Sequence, residues 1–341
     1  MPSAFALFRP GEVVAGRYEI LAPIGDGAMA VVFRAKHRST GRPCALKFIH
    51  PHLVSRQELV DQFLAEALVA GRIGSHPNIV DVFDAGVEER RRIPFIAMEL
   101  LQGQPLAAFI KERAPVAWDV VRDVMAQLGD ALDEAHSAGV VHRDLKPSNI
   151  FVAEDRRGRL RLKVLDFGIA KLLDLAGQST ATQTGTPSHC APEQLGSAIR
   201  KLAAQRGFTI SKTVSPATDV FPTALIAYRL LTGLDATQYW EARSLPELMT
   251  RVALEEHRPA TERAGARAQH LPPSFDSWFL RCLRHNSEER WQGVGQAVAA
   301  LARLLQLGPE AEPIPLVQGA EIDDEASVDS LEPTRLRPPK G

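Results

Sequence analysis

Cysteine is scarce: the 341 residues hold three, Cys44, Cys190 and Cys282. Their wide spacing and odd number exclude a disulfide framework and a Cys-x-x-Cys metal site, and point to a reducing compartment. A bias of charge is missing too. Forty Lys plus Arg stand against 41 Asp plus Glu, so no whole-chain field draws the protein to nucleic acid or to an anionic membrane. No apolar run approaches the length of a bilayer span, and 4–8, followed at once by Arg9 and Pro10, is too short for a signal peptide. The expectation is a cytoplasmic chain with neither a nucleic-acid partner nor a membrane span. What is present is ordinary globular material, 45% hydrophobic and 24% charged, long enough for two lobes with separate cores.

Residues 1–17 read as a loose N-terminal arm. Short strand-like runs with one helix fill 18–101, and a mostly helical pattern fills 102–305. Residues 306–341 hold six prolines and eight acidic residues with few large apolar ones, the composition of a disordered tail. Ser55 and Glu58 form a capping-box pattern that opens a helix over 55–73, in which Leu59, Phe63, Glu66 and Ala70 share one stripe. A carboxylate therefore sits among apolar positions. Val121, Val124, Met125, Leu128, Leu132 and Ala135 make a second helical face, stopped by Gly139. The stretch 220–231 is apolar on nearly every side, as suits a buried helix.

Four constellations carry chemistry. In the turn between two strand-like runs, Gly25 and Gly27 let backbone N–H groups approach phosphate oxygens without a Cβ in the way; a plain hairpin would have the same pattern. A strand follows and no Gly-Lys-Ser/Thr is present, which excludes a dinucleotide fingerprint and a Walker loop. Lys47 stands in the strand pattern Cys44-Ala45-Leu46-Lys47-Phe48-Ile49, where a solvent-facing lysine is the ordinary explanation. Glu66 changes this, because a carboxylate on a core stripe is costly unless a cation meets it, and Lys47 is its natural partner. The third and fourth constellations are His142-Arg143-Asp144-Leu145-Lys146-Pro147-Ser148-Asn149 and Asp166-Phe167-Gly168. Strand patterns at 150–153 and 160–165, around a charged turn, make the intervening residues a hairpin that brings Asn149 beside Asp166. An amide oxygen and a carboxylate there form a hard-oxygen site suited to Mg²⁺, with Asp144 facing the same spot.

In this order the elements resemble a protein kinase, more narrowly a bacterial, eukaryotic-like (Hanks-type) serine/threonine kinase. The resemblance runs from about Arg17 to Leu305 and includes His76-Pro77-Asn78-Ile79-Val80, Gly185-Thr186-Pro187, Ala191-Pro192-Glu193 and 282–290. It implies an α+β, bilobal fold: a small antiparallel-sheet N-lobe (18–101) with one key helix, and a larger, mainly helical C-lobe (102–305). It further implies an ATP site made by Ile24, Gly25, Asp26, Gly27, Ala28, Met29, Ala30, Val31 and Val32, with Ala45, Lys47 and Glu66, the gatekeeper Met98, and Glu99 and Leu101 of the adenine-binding hinge. Asp144 and Lys146 would act on the substrate hydroxyl and the transferring phosphoryl, and Asn149 and Asp166 would hold Mg²⁺ or Mn²⁺. Glu193 and Arg290 resemble the pair that anchors the activation segment. The substrates implied are Ser and Thr hydroxyls of proteins. A second copy of the chain is a further partner to consider, for phosphorylation in trans.

In the same family, Arg143 beside Asp144 is placed to grip a phosphate on the segment between Asp166 and Glu193. Ser179, Thr180, Thr182 and Thr184 are the candidate acceptors, Thr182 and Thr184 foremost, and the unmodified Thr186 hydroxyl would brace the catalytic loop. A merely solvated Ser/Thr-rich loop is the plain alternative. Three departures stand out. Ala30 replaces a third loop glycine. Pro222 and Ala224 occupy the buried helix, where an N-cap at Asp219 would put Pro222 in the tolerant first turn. The stretch 196–215, with Arg200, Lys201, Arg206 and Lys212, is about a dozen residues longer than the family pattern, and is either a docking element or a surface loop. A pseudokinase-like scaffold is the alternative function, but it would require Lys47, Asp144 or Asp166 to be missing.

Overall fold

A computed structural model of the chain describes residues 7–27, 29–154, 159–167 and 187–306. Alternating apolar residues in its first hundred positions build a six-stranded antiparallel sheet in the order β1-β2-β3-β4-β6-β5. The strands are β1 (Val13–Val14), β2 (Tyr18–Asp26), β3 (Ala30–His37), β4 (Pro43–Ile49), β5 (Val82–Glu88) and β6 (Ile93–Glu99). Side chains alternate between faces, so the register decides what each face carries. Val31, Phe48 and Phe95 pair across β3, β4 and β6 and lie in the buried core. Val32, Lys47 and Ile96 pair one residue along and share the opposite face.

The long helix of this lobe, α1 (Gln57–Ile73), starts later than its capping-box pattern predicts. Arg56 is the N-cap, without a side-chain cap bond, and its carbonyl takes the Leu59 and Val60 N–H groups. The preceding turn at Pro51–Leu53 receives the Arg56 N–H, which leaves Ser55 outside the helix. Residues 7–17 are not a loose arm either. Val13 and Val14 pair with Glu19 and Tyr18, and Phe8 is buried against Phe48 and Phe33, with ring centroids 4.5 and 5.7 Å away. The Phe8 contacts join residues far apart in the chain, and no local pattern announces them.

The C-lobe opens with β7 (Gln104–Pro105), which pairs with the hairpin β8 (Ile150–Glu154) and β9 (Leu160–Val164). Its helices are α2 (Leu106–Arg113), α3 (Trp118–Ser137), α4 (Ser197–Gln205), α5 (Pro216–Thr232), α6 (Ala236–Trp240), α7 (Leu245–Leu254), α8 (Ala260–Ala264), α9 (Phe275–Cys282) and α10 (Val294–Gln306). The apolar face predicted for α3 is buried, and Gly139, at φ 74°, ends the helix. Helix α5 is buried along nearly its whole length, as its all-round hydrophobicity requires. It begins at N-cap Ser215 with Pro216 in its first turn, not at Asp219. Pro222 is consequently well inside the helix, and Asp219 is free to act through its side chain. No helix among the described residues is long and apolar enough to cross a membrane.

The stretch 196–215 is built into the lobe. Ala203 of α4 and Ile210 are buried, Phe208 lies 4.5 Å from the His285 ring, and the Ser211 hydroxyl donates to Asn286 Oδ1 at 2.9 Å. Arg200 donates to the Glu193 carbonyl at 3.2 Å, while Lys201, Arg206 and Lys212 are exposed.

Behind Phe208, the His285 and His257 rings stack at 4.3 Å, and His257 meets Trp240 at 5.2 Å. Burial, with repulsion from His285, pushes His257 down to about 3; burial, with Arg290 nearby, pushes His285 down to about 4. Both are neutral in the fold and take up protons near pH 6.5 when it opens. The unfolded chain binds more protons below that pH, so stability is full above about pH 6.5 and falls as pH drops toward 4. Each histidine contributes up to about 1.4 kcal/mol per pH unit to that loss. Thermal melts of wild type and His257→Phe between pH 7.5 and 4.5 should show a shallower acid loss in the variant; equal slopes would contradict this.

Candidate active site

The expected Lys47–Glu66 contact forms. α1 and β4 bring Glu66 Oε2 to 2.8 Å from Lys47 Nζ, and Asp166 Oδ1 meets the same ammonium at 2.7 Å. Burial disfavours the charged lysine, but the two carboxylates outweigh it and raise its pKa. Burial also raises Asp166, and Lys47 overcomes that and holds it below its ordinary value. For Glu66, burial prevails over the pull of Lys47, so its carboxyl is pushed up. One ammonium thus serves two carboxylates, and Asp166 is the more firmly ionised.

Asp166 lies just past the hairpin of β8 and β9. Ile150 pairs with Val164, and the Leu165 N–H donates to the Asn149 carbonyl at 2.8 Å, which brings the chain at Asp166 back alongside Asn149. Asn149 Nδ2 donates to the Asp144 carboxylate and carbonyl at 3.0 and 2.9 Å, which leaves its Oδ1 available to a cation. Lys146 Nζ donates to Asp144 Oδ2 at 2.8 Å.

This loop is held from beneath by α5. Asp219, fully buried, accepts the His142 and Arg143 N–H groups at 2.8 and 2.9 Å and His136 Nε2 at 2.8 Å. Burial would raise its carboxyl, but the His136 hydrogen bond, the neighbouring His136 and His142 rings and the Arg143 N–H hold it low. With its N–H and that of His142 tied to Asp219 of α5, Arg143 adopts φ 64°, a left-handed conformation costly for a residue with a Cβ. His142 Nε2 donates to the Leu165 carbonyl at 3.0 Å, and Gln194 donates to the Arg143 carbonyl at 2.7 Å. Asp219 and Gln194 support this loop and escape the sequence reading, while His142 stands in the motif there without a role of its own. Asp219 carries a signal, a carboxylate within an apolar run, which an N-cap at that position would leave unused.

At the turn from β2 to β3, Gly25 pairs with Val32, and neither Gly25 nor Gly27 has a positive φ. Their value lies in the absent side chain, which fits close approach by a ligand better than turn geometry alone. Val32, Ala45, Lys47 and Met98 share one sheet face by register, whereas Val31 points into the opposite, aromatic core. Val31 therefore offers no side chain to a ligand on the Lys47 face. Ile24 is exposed at the end of the sheet. Glu99 turns its carboxylate to Lys163 Nζ, 2.6 Å, and to the Asp81 N–H, 2.9 Å, while its own N–H donates to the Asp81 carbonyl at 2.9 Å, so its side chain is not offered to a ligand. Ala28, Gly168, Ser179, Thr180, Thr182, Thr184 and Thr186 lie outside the described residues.

Glu193 and Arg290 meet as expected, in a bidentate pair at 2.8 and 2.8 Å with both side chains fully buried. The guanidinium also donates to the carbonyls of Arg284, Ala217 and His285.

Residues 18–301 match the protein kinase domain model. The chain is similar to serine/threonine-protein kinase Pkn1 of Myxococcus xanthus, 39% identical over 220 residues that make up 64% of this chain and 29% of that protein. It is also similar to pkn3 of the same organism, 35% identical over 285 residues, 82% of this chain and 48% of that protein. The chain thus spans less than half the length of these relatives. Among solved structures, the PknI kinase domain of Mycobacterium tuberculosis matches with a TM-score of 0.62 and 25% identity, covering 87% of this chain and 99% of that one.

Proposed function

Since this chain belongs to the protein kinase domain family, we propose that it transfers the γ-phosphoryl group of ATP to serine or threonine hydroxyls of proteins, with Mg²⁺ as its metal. The observation that carries the reading is the Lys47 ammonium shared by Glu66 and Asp166, beside the Asp144, Lys146 and Asn149 network. In it Lys47 holds phosphate oxygens of the nucleotide and Glu66 holds Lys47. Asp144 orients the substrate hydroxyl and takes its proton as the oxygen attacks the γ-phosphorus. Lys146 offsets the charge on the phosphoryl in flight, and ADP leaves. The donor set fits Mg²⁺: Asn149 Oδ1 and the Asp166 carboxylate are hard oxygens, to be completed by phosphate and water. When bound, the metal would neutralise charge on the triphosphate.

Partners on this reading are Ser/Thr-bearing proteins, and a second copy of the chain if self-phosphorylation runs in trans. All three residues whose loss would mark a pseudokinase-like scaffold, Lys47, Asp144 and Asp166, are present. Incubation with γ-labelled ATP, Mg²⁺ and a generic basic protein tests the reading. Label is expected on Ser and Thr of the added protein, and on the chain itself within 179–184. ATP bound without transfer would favour the scaffold.

A further inference from the structure

The two glycines at the turn of the nucleotide site are a liability as well as an opening, since a backbone without Cβ atoms samples many conformations. One side chain outside the motif restrains them. His50, the residue after β4, is buried, and its Nε2 lies 2.7 Å from the Gly27 carbonyl and 3.3 Å from Asp26 Oδ1. A carbonyl only accepts, so Nε2 carries the proton and donates. The His50 N–H donates in turn to the Met29 carbonyl at 2.9 Å, and Gly27 N–H closes onto the Ala30 carbonyl at 2.9 Å. The ring is backed by His52, stacked at 5.3 Å. Both ends of the turn are therefore tied to one rigid strand end, and the Gly27 carbonyl is satisfied by the imidazole before any triphosphate arrives.

We propose that His50 is a positioning residue: its Nε2–H···O=C bond to Gly27 holds the glycine turn in a nucleotide-ready conformation and so sets the affinity for ATP. A pre-ordered turn leaves less conformational freedom to lose on binding, which tightens the complex without touching the reacting atoms. The inference rests on the ATP reading above, and its test separates the two. His50→Leu keeps the bulk and removes the donor, and His50→Gln restores an N–H at nearly the same reach. Amide exchange across 25–29 in the nucleotide-free protein should quicken in the leucine variant and return toward wild type in the glutamine variant. Binding of a fluorescent ATP analogue should weaken about fivefold with leucine and recover with glutamine, the loss of roughly one hydrogen bond. The KM for ATP should rise with it while kcat changes less than twofold. Unchanged exchange in the leucine variant, or a glutamine variant as impaired as the leucine one, would overturn the assignment. Should wild type fail to bind the nucleotide, the ATP reading falls, and the exchange comparison still decides the role of His50.

Discussion

Lys47→Met is expected to lower kcat/KM for phosphoryl transfer by about 10²- to 10³-fold, the usual consequence of removing a preorganised charge from a reacting centre. The ammonium, 2.8 Å from Glu66 and 2.7 Å from Asp166, is the cation that meets both carboxylates among the described residues. Methionine suits the apolar strand around it, so the variant should unfold cooperatively, but it leaves two carboxylates in a half-buried place without their cation. Part of any change in melting temperature will come from that. Glu66→Gln should be milder, since Asp166 still holds the lysine. Asp166→Asn should remove activity together with its dependence on Mg²⁺. Near-wild-type turnover by a folded Lys47→Met variant would show that Lys47 has no part in the chemistry.

Glu193→Ala should produce the largest loss of stability, about 3–5 kcal/mol, read from the urea midpoint. Removing the carboxylate strands a guanidinium with no exposed surface, and the carbonyls that remain to it carry no compensating charge. Replacing both partners by apolar residues, Glu193→Leu with Arg290→Met, should cost much less than the sum of the single losses, because no charge is left stranded. Additive losses would mean the pair is two independent contacts. Activity should fall in the single variant as well, since Gln194, the next residue, holds the Arg143 carbonyl beside Asp144.

The centre of the site was legible because its logic is local or follows from a cost. Glu66 on an apolar stripe demands a cation, and a hairpin returns the chain beside the place where it began; both inferences need only periodicity and elementary electrostatics. The glycine turn could be read from its residues but not told from a plain hairpin without the resemblance, and the Glu193–Arg290 pair was legible only by resemblance. What escaped were contacts between distant residues with no periodic trace. His50 on Gly27, Asp219 under the catalytic loop and Phe8 in the sheet core each depend on the tertiary fold. The start of α5 escaped for a related reason, because Ser215 and Pro216 stand at the end of a stretch with no family pattern. That stretch proved to be structure, with Phe208, Ile210 and Ser211 seated on the C-lobe.

The most direct measurement counts ADP formed against phosphate recovered on Ser and Thr, for wild type and Asp144→Asn side by side at saturating Mg²⁺ and ATP. Wild type should yield one phosphoserine or phosphothreonine for each ADP in excess of slow hydrolysis. The Asp144→Asn variant, which keeps a side chain of the same size but cannot take the hydroxyl proton, should bind nucleotide and transfer at least a hundredfold more slowly. ADP without phosphorylated residues, or equal transfer by both proteins, would contradict the account.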